Sequence, residues 1–156
     1  MVRSAERTVY SLPMTDLYAY GGLFLTAFTA ATIFPLQSEA VLIGLLLSEH
    51  YSVFLLIAAA SAGNILGAVV NWWLGRAMER FRGRRWFPVS AAGLARAQAW
   101  YGRYGRWSLL LSWVPFIGDP LTVVAGVLRE PLWSFLLLVS IAKIGRYVVL
   151  AGLVNL

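Results

Sequence analysis

Apolar runs alternate with short polar breaks along the whole chain, and their lengths predict two kinds of helix. Residues 17–34 carry no charge and end at Pro35. A polar stretch containing Glu39 follows, and residues 40–48 are apolar but far too short to cross a bilayer, which takes about 20 residues. The pattern predicts a helical hairpin that enters the membrane and returns to the same side. Such broken backbone requires surrounding protein or a water-filled cavity.

The same order of features returns 80 residues later. Residues 107–118 are apolar and interrupted by Pro115, the carboxylate of Asp119 follows, and residues 121–128 form a second short return. At this offset the prolines of the two hairpins coincide, and so do their carboxylates. A lone acidic residue in an apolar setting is costly and is usually retained for function.

Each hairpin precedes an apolar stretch that is long enough to span a membrane, at residues 53–74 and 132–154. The sequence therefore predicts an all-α integral membrane protein of two repeats, each a re-entrant hairpin plus a transmembrane helix. We expect one membrane domain over residues 1–156, with the repeats at 17–75 and 107–156 joined by a loop at 76–106. The N-terminal stretch lacks the small-residue cleavage pattern of a signal peptide.

Positive charge is concentrated in the predicted loop. The chain carries a net charge of +6, but residues 76–106 hold eight arginines against a single glutamate, so the rest of the chain is slightly negative. A short arginine-rich loop between apolar spans is typical of the cytoplasmic side. The first hairpin then opens outside and the second opens inside, so the two repeats are inverted, as in many secondary transporters.

Within the loop, Ser90 is a candidate N-cap for a helix over residues 91–104. One face of this helix carries aromatic residues and another carries arginines, which favours an interfacial helix on an anionic leaflet. The alternative is a solvated linker helix. A basic balance is also found in nucleic-acid binders, but the charge here is explained by membrane topology, and we expect no nucleic-acid partner.

The composition argues against several classes of chemistry. The chain is 60% hydrophobic and 13% charged, against about 25% charged in ordinary soluble proteins. Cysteine is absent, which excludes disulfides and thiolate metal sites. The single histidine, His50, lies at a predicted membrane boundary, and neither a Ser-His-Asp set nor a phosphate-binding glycine loop is present. We therefore expect no enzyme, no metal and no cofactor.

Glu39 and Asp119 are the candidate transport residues. If both hairpin tips reach the middle of the membrane, the two carboxylates approach each other, and one of them can hold a proton near neutral pH and exchange it during transport. The alternative is that each carboxylate caps the short helix that follows it, which is a strong reading for Asp119 because Pro120 comes next. Both roles are compatible.

Four further polar residues are candidates for the same site or its support. Lys143 and Arg146 lie three residues apart inside the second span, where a charge is expensive, and we expect them to pair with a carboxylate and secondarily to bind phosphate. A purely structural ion pair or snorkelling is the alternative. Asn64 needs a partner in lipid and should face the bundle interior. The fourth, Arg129, closes the second hairpin.

The order of motifs resembles one family. It is carried by Phe34-Pro35, Ser38-Glu39, Gly63-Asn64-Ile65-Leu66-Gly67, Leu74-Gly75-Arg76, Leu111-Ser112-Trp113-Val114-Pro115, Gly118-Asp119-Pro120 and Ala125-Gly126. Together these stretches resemble the DedA superfamily with its SNARE-associated, or VTT, domain, and most of all its YqaA-like branch. The resemblance covers the chain from about residue 23 to the C-terminus.

The resemblance implies a multi-pass bacterial inner-membrane protein with a role in envelope homeostasis. For some members it implies translocation of undecaprenyl phosphate or other lipids, coupled in some cases to protons. The acidic residue of the family's first hairpin carries over to Glu39. The family's second hairpin bears arginines three residues either side of its proline, and here Ser112 and Gly118 stand there. Arg146 or Arg129 are the candidate substitutes.

We therefore expect a transporter or scramblase of phospholipid or polyprenyl phosphate, with membrane lipids, anionic head groups and protons as partners and a homo-oligomer as one state of assembly. Two alternatives stay open. One is a proton- or cation-coupled transporter of small solutes, and the other is a membrane scaffold that transports nothing.

Overall fold

A computed structural model describes residues 14–31, 37–78, 91–114 and 118–154, and among them it contains helices and turns without a strand. The helices are α1 (Met14–Ala30), α2 (Gln37–Leu47), α3 (Val53–Met78), α4 (Ala91–Tyr104), a 3-10 helix (Gly105–Trp113), α5 (Gly118–Val127) and α6 (Leu132–Val154). Both hairpin prolines, Ser90 and most of the arginine-rich loop lie outside the described residues, so the predictions that concern them stay predictions.

The two long helices are those that the hydrophobic pattern predicted. Within the described part of the chain, α3 and α6 are long and apolar enough to cross a membrane. The helix α6 has the predicted bounds, whereas α3 runs four residues past the predicted 53–74. The additional residues, Gly75 to Met78, include an arginine, an alanine and a methionine, which are strong helix formers. The expected helix over residues 91–104 is also present as α4.

The first arm of the second hairpin is a 3-10 helix, whereas its counterpart α1 is an α-helix of 17 residues. Two local features account for this. Gly105 has a φ of +58°, which ends α4 and redirects the chain. The Ser108 hydroxyl then donates to the Gly105 carbonyl at 2.9 Å, a local bond that competes with regular helix geometry.

The apolar core is divided between the two ends of the bundle. One cluster joins α1, α2, the beginning of α3 and the end of α6: Leu23, Ala27, Leu42, Leu46, Leu56, Ala60, Tyr147 and Ala151. The other joins the end of α3, the 3-10 helix, α5 and the beginning of α6: Ala68, Trp72, Leu109, Ala125, Phe135, Leu138 and Val139. The two long helices are therefore antiparallel.

Glycines allow α3 to touch two neighbouring helices at backbone distance. A Cβ at Gly63 would collide with the backbone carbonyl of Phe24 in α1. On the other side, a Cβ at Gly75 would collide with the carbonyl of Val123 in α5, and one at Gly126 of α5 with the carbonyl of Trp72. These contacts confirm that the glycines serve close helix packing.

The two short helices α2 and α5 end in the same way. Glu49 and Arg129 have φ values of 55° and 58°, the left-handed conformation that caps helix C-termini. The Glu49 amide donates to the Leu46 carbonyl at 3.2 Å, and the Arg129 amide donates to the Gly126 carbonyl at 3.0 Å. Both pairs are related by the offset of 80 residues, so the sequence repeat extends to the backbone of the two turns.

Candidate functional site

Two cations lie at the centre of α6. Lys143 is eleven residues from either end of the helix, which at about 1.5 Å per residue is roughly 16 Å. Its side chain is 1% exposed, and that of Arg146, three residues on, is 7% exposed. A lysine this far from both helix ends cannot bring its ammonium group to an interface by snorkelling, so its charge requires a partner inside the protein.

Each cation has a carboxylate partner on a different short helix. The Lys143 ammonium donates to the Asp119 carboxylate at 2.8 Å. The Arg146 guanidinium donates to the Glu39 carboxylate through Nη2, and its Nη1 lies 3.4 Å from the carbonyl oxygen of Trp113. The expected pairing of the α6 cations with the hairpin carboxylates is confirmed.

Both carboxylates lie in the first turn of a short helix. Glu39 is the third residue of α2, and Asp119 is the second residue of α5. The amide groups of a helix N-terminus give it partial positive charge, which favours a carboxylate there. Each carboxylate is therefore near both a helix N-terminus and a cation. About a fifth of each carboxylate side chain is exposed, so both can reach solvent or a small polar group from the bundle interior.

A buried hydrogen-bonded cluster adjoins the Glu39–Arg146 pair. The Asn64 amide donates to the Tyr147 hydroxyl at 2.7 Å, and the Ser38 hydroxyl lies 3.2 Å from the same oxygen. Ser38 and Tyr147 are the sequence neighbours of Glu39 and Arg146, so the cluster fixes the helices that carry the pair. The expected inward position of Asn64 is confirmed, at 3% exposure.

Sequence reasoning missed Ser38 and Tyr147 as parts of this cluster. The available signal was a tyrosine in the middle of an apolar span, one turn after Lys143, because a buried tyrosine hydroxyl usually finds a partner. The second asparagine of α3, Asn71, donates to the Ala31 carbonyl at 2.8 Å, just past the C-terminus of α1. It therefore ties α3 to α1 at the end of the first hairpin arm.

Comparison with known proteins places this geometry in a family. The VTT domain family model matches residues 9–156, nearly the whole chain. The chain belongs to the VTT domain family, the DedA family of membrane proteins.

Relatives agree with this assignment. The chain is 35% identical over 139 residues to "Inner membrane protein YqaA" of Escherichia coli K12, covering 89% of this chain and 93% of that protein. It is 33% identical over 135 residues to a protein of Haemophilus influenzae, with 82% of each chain covered. A more distant relative, "Undecaprenyl phosphate transporter A" of Staphylococcus aureus, is 25% identical over 129 residues, covering 76% of this chain and 64% of the relative. No solved structure matches the chain.

The chain differs from the general VTT pattern at the two second-hairpin positions, and the structure gives a physical reason. A Cβ at Gly118 would collide with the carbonyl oxygen of Ser112, so no side chain fits there. Ser112 is fully buried, and its hydroxyl has no hydrogen-bond partner among the described residues. The two positions are in backbone contact with each other, and the hairpin is closed where arginines would otherwise stand.

Of the two candidate substitutes for those arginines, Arg146 lies in the central cluster. Arg129 is exposed at the turn after α5, ten residues beyond Asp119, which along a helix is roughly 15 Å. The described cations nearest in role to the family's arginines are thus on α6.

A second polar cluster lies at the far end of the bundle and holds α4 against it. The Tyr101 hydroxyl donates to the Glu130 carboxylate at 2.6 Å, and the Ser134 hydroxyl donates to the other carboxylate oxygen. The Trp72 indole donates to the Glu130 carbonyl at 3.1 Å. Burial, and next the bond to Glu130, raise the pKa of the Tyr101 phenol above its ordinary value.

Proposed function

We propose that this protein is a multi-pass transporter or scramblase of the bacterial inner membrane that moves lipids with a phosphate head group, phospholipid or polyprenyl phosphate, with proton coupling. The observation that carries the proposal is the pair of buried ion pairs, Glu39–Arg146 and Asp119–Lys143, at the centre of an apolar helix in a membrane-protein family. Ionisable residues inside a membrane mark substrate and proton pathways.

The proposed architecture is a pair of inverted repeats with re-entrant hairpins in one domain, and contacts at the two ends support it. At one end, the Tyr20 hydroxyl accepts from the Ser52 amide at 3.1 Å, and the Tyr20 ring meets the Tyr51 ring edge-on at 5.8 Å. The first hairpin therefore has both its ends near the beginning of α3. At the other end, Glu130 closes the second hairpin beside Trp72 and Tyr101. The two hairpins open at opposite ends of the bundle.

In the proposed cycle, a lipid phosphate and Glu39 compete for Arg146. While Glu39 is ionised, it neutralises the guanidinium. When Glu39 takes up a proton, the guanidinium loses its counter-charge and binds the phosphate, for which its planar donors are suited. Loss of the proton restores the ion pair and releases the lipid. Lys143 and Asp119 supply a second pair of the same kind 2.8 Å apart, related to the first by the repeat.

The more distant relative adds support, since its name records transport of undecaprenyl phosphate, a long-chain lipid with a phosphate head. The shared chemistry is an anionic head on an apolar tail, and the central arginine suits the head. The proposal includes no enzymatic step, because each of the described ionisable groups at the site has an ion-pair role that suits binding.

The test is lipid exchange between leaflets of liposomes that contain the purified protein and a fluorescently labelled phospholipid. We expect the wild type to accelerate exchange, and Glu39→Gln to reduce it strongly and abolish its pH dependence, because the variant has no proton to exchange. Glu39→Asp should keep partial activity. Glu49→Gln is the matched control, because it removes an exposed carboxylate at the other end of α2.

Because Arg146 pairs with Glu39, Glu39→Gln also leaves a buried cation without its charge partner and should lower the melting temperature. Measuring melting and exchange together separates the two effects: Glu49→Gln should change neither. Wild-type exchange and pH dependence in Glu39→Gln would reduce Glu39 to a helix cap. A wild-type protein that leaves lipid exchange unchanged would favour the small-solute carrier or the scaffold.

A further inference from the structure

A small groove leads from the outer face of α6 to Arg146. One wall is a stripe of α6 residues at helical spacing and the other is the 3-10 helix, and the groove has a volume of about 210 Å³. Its lining is Leu110, Trp113, Ala142, Gly145, Arg146 and Val149. Apart from Arg146 these side chains are apolar. Val149 and Trp113 are more than half exposed, so the groove opens sideways toward the surroundings of the bundle.

Arg146 connects the groove with the ion-pair site. Its Nη2 donates to Glu39, while its Nη1 lies 3.4 Å from the carbonyl of Trp113, a groove residue. The guanidinium therefore extends from the Glu39 pair to the wall of the groove. A molecule in the groove that carries an anion at its inner end meets this cation without crossing any other described helix.

The size and chemistry of the groove select its occupant. A helix from a second copy, about 10 Å across, does not enter a groove this small, and typical ligand pockets are larger, at about 300–1,000 Å³. A single hydrocarbon chain matches both the narrow width and the apolar lining. The one charge at the inner end is positive, so it complements a phosphate.

We propose that this groove is the lateral binding site for one hydrocarbon chain of a phosphate-bearing membrane lipid, whose head group binds Arg146. The inference rests on the proposed function and adds to it the route by which the lipid enters. The 3-10 helix and α6 form the two sides of the entrance, and Gly145 keeps it open, because an added Cβ there meets nothing within 4 Å.

The experiment uses the full-length protein in phosphatidylcholine vesicles with a tracer of phosphatidylglycerol that carries a photoreactive diazirine in its acyl chain. After illumination, mass spectrometry locates the labelled peptides. We expect label on the 3-10 helix and on the stretch of α6 that includes Val149. A diacylglycerol tracer with the same diazirine lacks the phosphate and should label these peptides at least about tenfold less, equal to about 1.4 kcal/mol of binding free energy.

Two variants close the groove and one serves as a matched control. Val149→Trp fills it from one end and Gly145→Trp from the middle, and each should lower the labelling at least about tenfold, equal to about 1.4 kcal/mol. Gly145 also borders a second, larger groove along α6, so Val149 is the more selective position. Val148→Trp is the control, because Val148 is a neighbouring exposed valine that lines neither groove.

Each result decides the proposal. Loss of label in both groove variants, with normal labelling in Val148→Trp, supports it. Normal labelling in Val149→Trp, or equal labelling by diacylglycerol, overturns it, whether or not the protein exchanges lipid. Groove labelling in a wild-type protein that exchanges no lipid would leave the binding site standing and overturn the proposed transport, so the two failures are distinguishable.

Discussion

Each buried charge on α6 is matched by one opposite charge. Lys143 and Arg146 have one carboxylate each, so the described centre of the bundle is electrically balanced. A buried pair gains little net stability, but removing one partner leaves an uncompensated charge and is strongly destabilising. Such a balance suits a site in which a proton or an anion can replace one member of a pair.

The sequence predicted the four charged residues but not which cation meets which carboxylate. The offset of 80 residues makes Glu39 and Asp119 equivalent, and either could have met either cation. The choice depends on the helix faces: Arg146 follows Lys143 by three residues and reaches α2, while Lys143 reaches α5. Those contacts are set by tertiary packing, which local sequence does not encode.

Tyr147 should be the residue whose hydroxyl matters most for stability among the described tyrosines of the core. Tyr147→Phe removes the group that accepts from Asn64 and contacts Ser38, and both are buried. A buried donor left without a partner costs about 1–3 kcal/mol. We expect a lower melting temperature in detergent micelles, monitored by tryptophan fluorescence.

The control for this change is Tyr20→Phe. The Tyr20 hydroxyl accepts from an exposed backbone amide, which water can satisfy instead. The variant should melt close to the wild type. If Tyr147→Phe and Tyr20→Phe have the same melting temperature, the hydrogen-bonded cluster contributes no stability of its own.

At the scale of the elements, α3 is the central helix, since it packs on both α1 and α5 through glycines. The small-residue spacing of α3 predicted close packing but not the partners. The bounds of α3, α4 and α6 followed from hydrophobic length and capping, which are local properties. The 3-10 helix did not, because its apolar run fits an α-helix equally well and its geometry depends on how Gly105 redirects the chain.

The contact between α3 and α5 should not tolerate a methyl group. In Gly126→Ala the new Cβ collides with the Trp72 carbonyl, and the two helices must separate. Overpacking of this kind costs about 1–3 kcal/mol. Gly44→Ala is the matched control, because it lies on another short helix with nothing within 4 Å of the added atom. Its melting temperature should equal or exceed that of the wild type, and equal losses in both variants would argue against the close contact.

The attachment of α4 should depend on pH through Tyr101. The phenol pKa is raised above the unfolded value of 10.0, so the stabilisation is complete below pH 10 and is lost as the pH rises above it. At pH 8, Tyr101→Phe should lose about 1–3 kcal/mol, since the bond is to a carboxylate. The difference in melting temperature between wild type and variant should shrink above pH 10. A difference that stays constant up to pH 11 would mean that the hydroxyl is not responsible.

At the scale of the whole molecule, two apolar clusters are separated by the ion pairs, and each cluster serves one end of the bundle. The repeat predicted this division, because a feature that recurs with inverted orientation places equivalent parts at opposite ends. The sequence could not predict the closure at Ser112 and Gly118, which depends on two backbones meeting. It also gave no indication of the groove beside Arg146, whose walls come from separate helices.

The orientation of the molecule in the membrane can be tested by labelling single cysteines, because the chain contains no native cysteine. Ser52 and Gly102 are both exposed and lie at opposite ends of the bundle, before α3 and on α4. Because the arginine-rich residues 76–106 should be cytoplasmic, we expect Ser52→Cys to react with a membrane-impermeant maleimide added to spheroplasts. Gly102→Cys should react only after the membrane is opened. A reporter fused after Leu156 that functions only outside the cytoplasm should be active, since α6 returns to the end that carries Ser52. Labelling of Gly102→Cys in closed spheroplasts would reverse the orientation. Equal labelling of both sites there would argue against two antiparallel spans that cross the membrane.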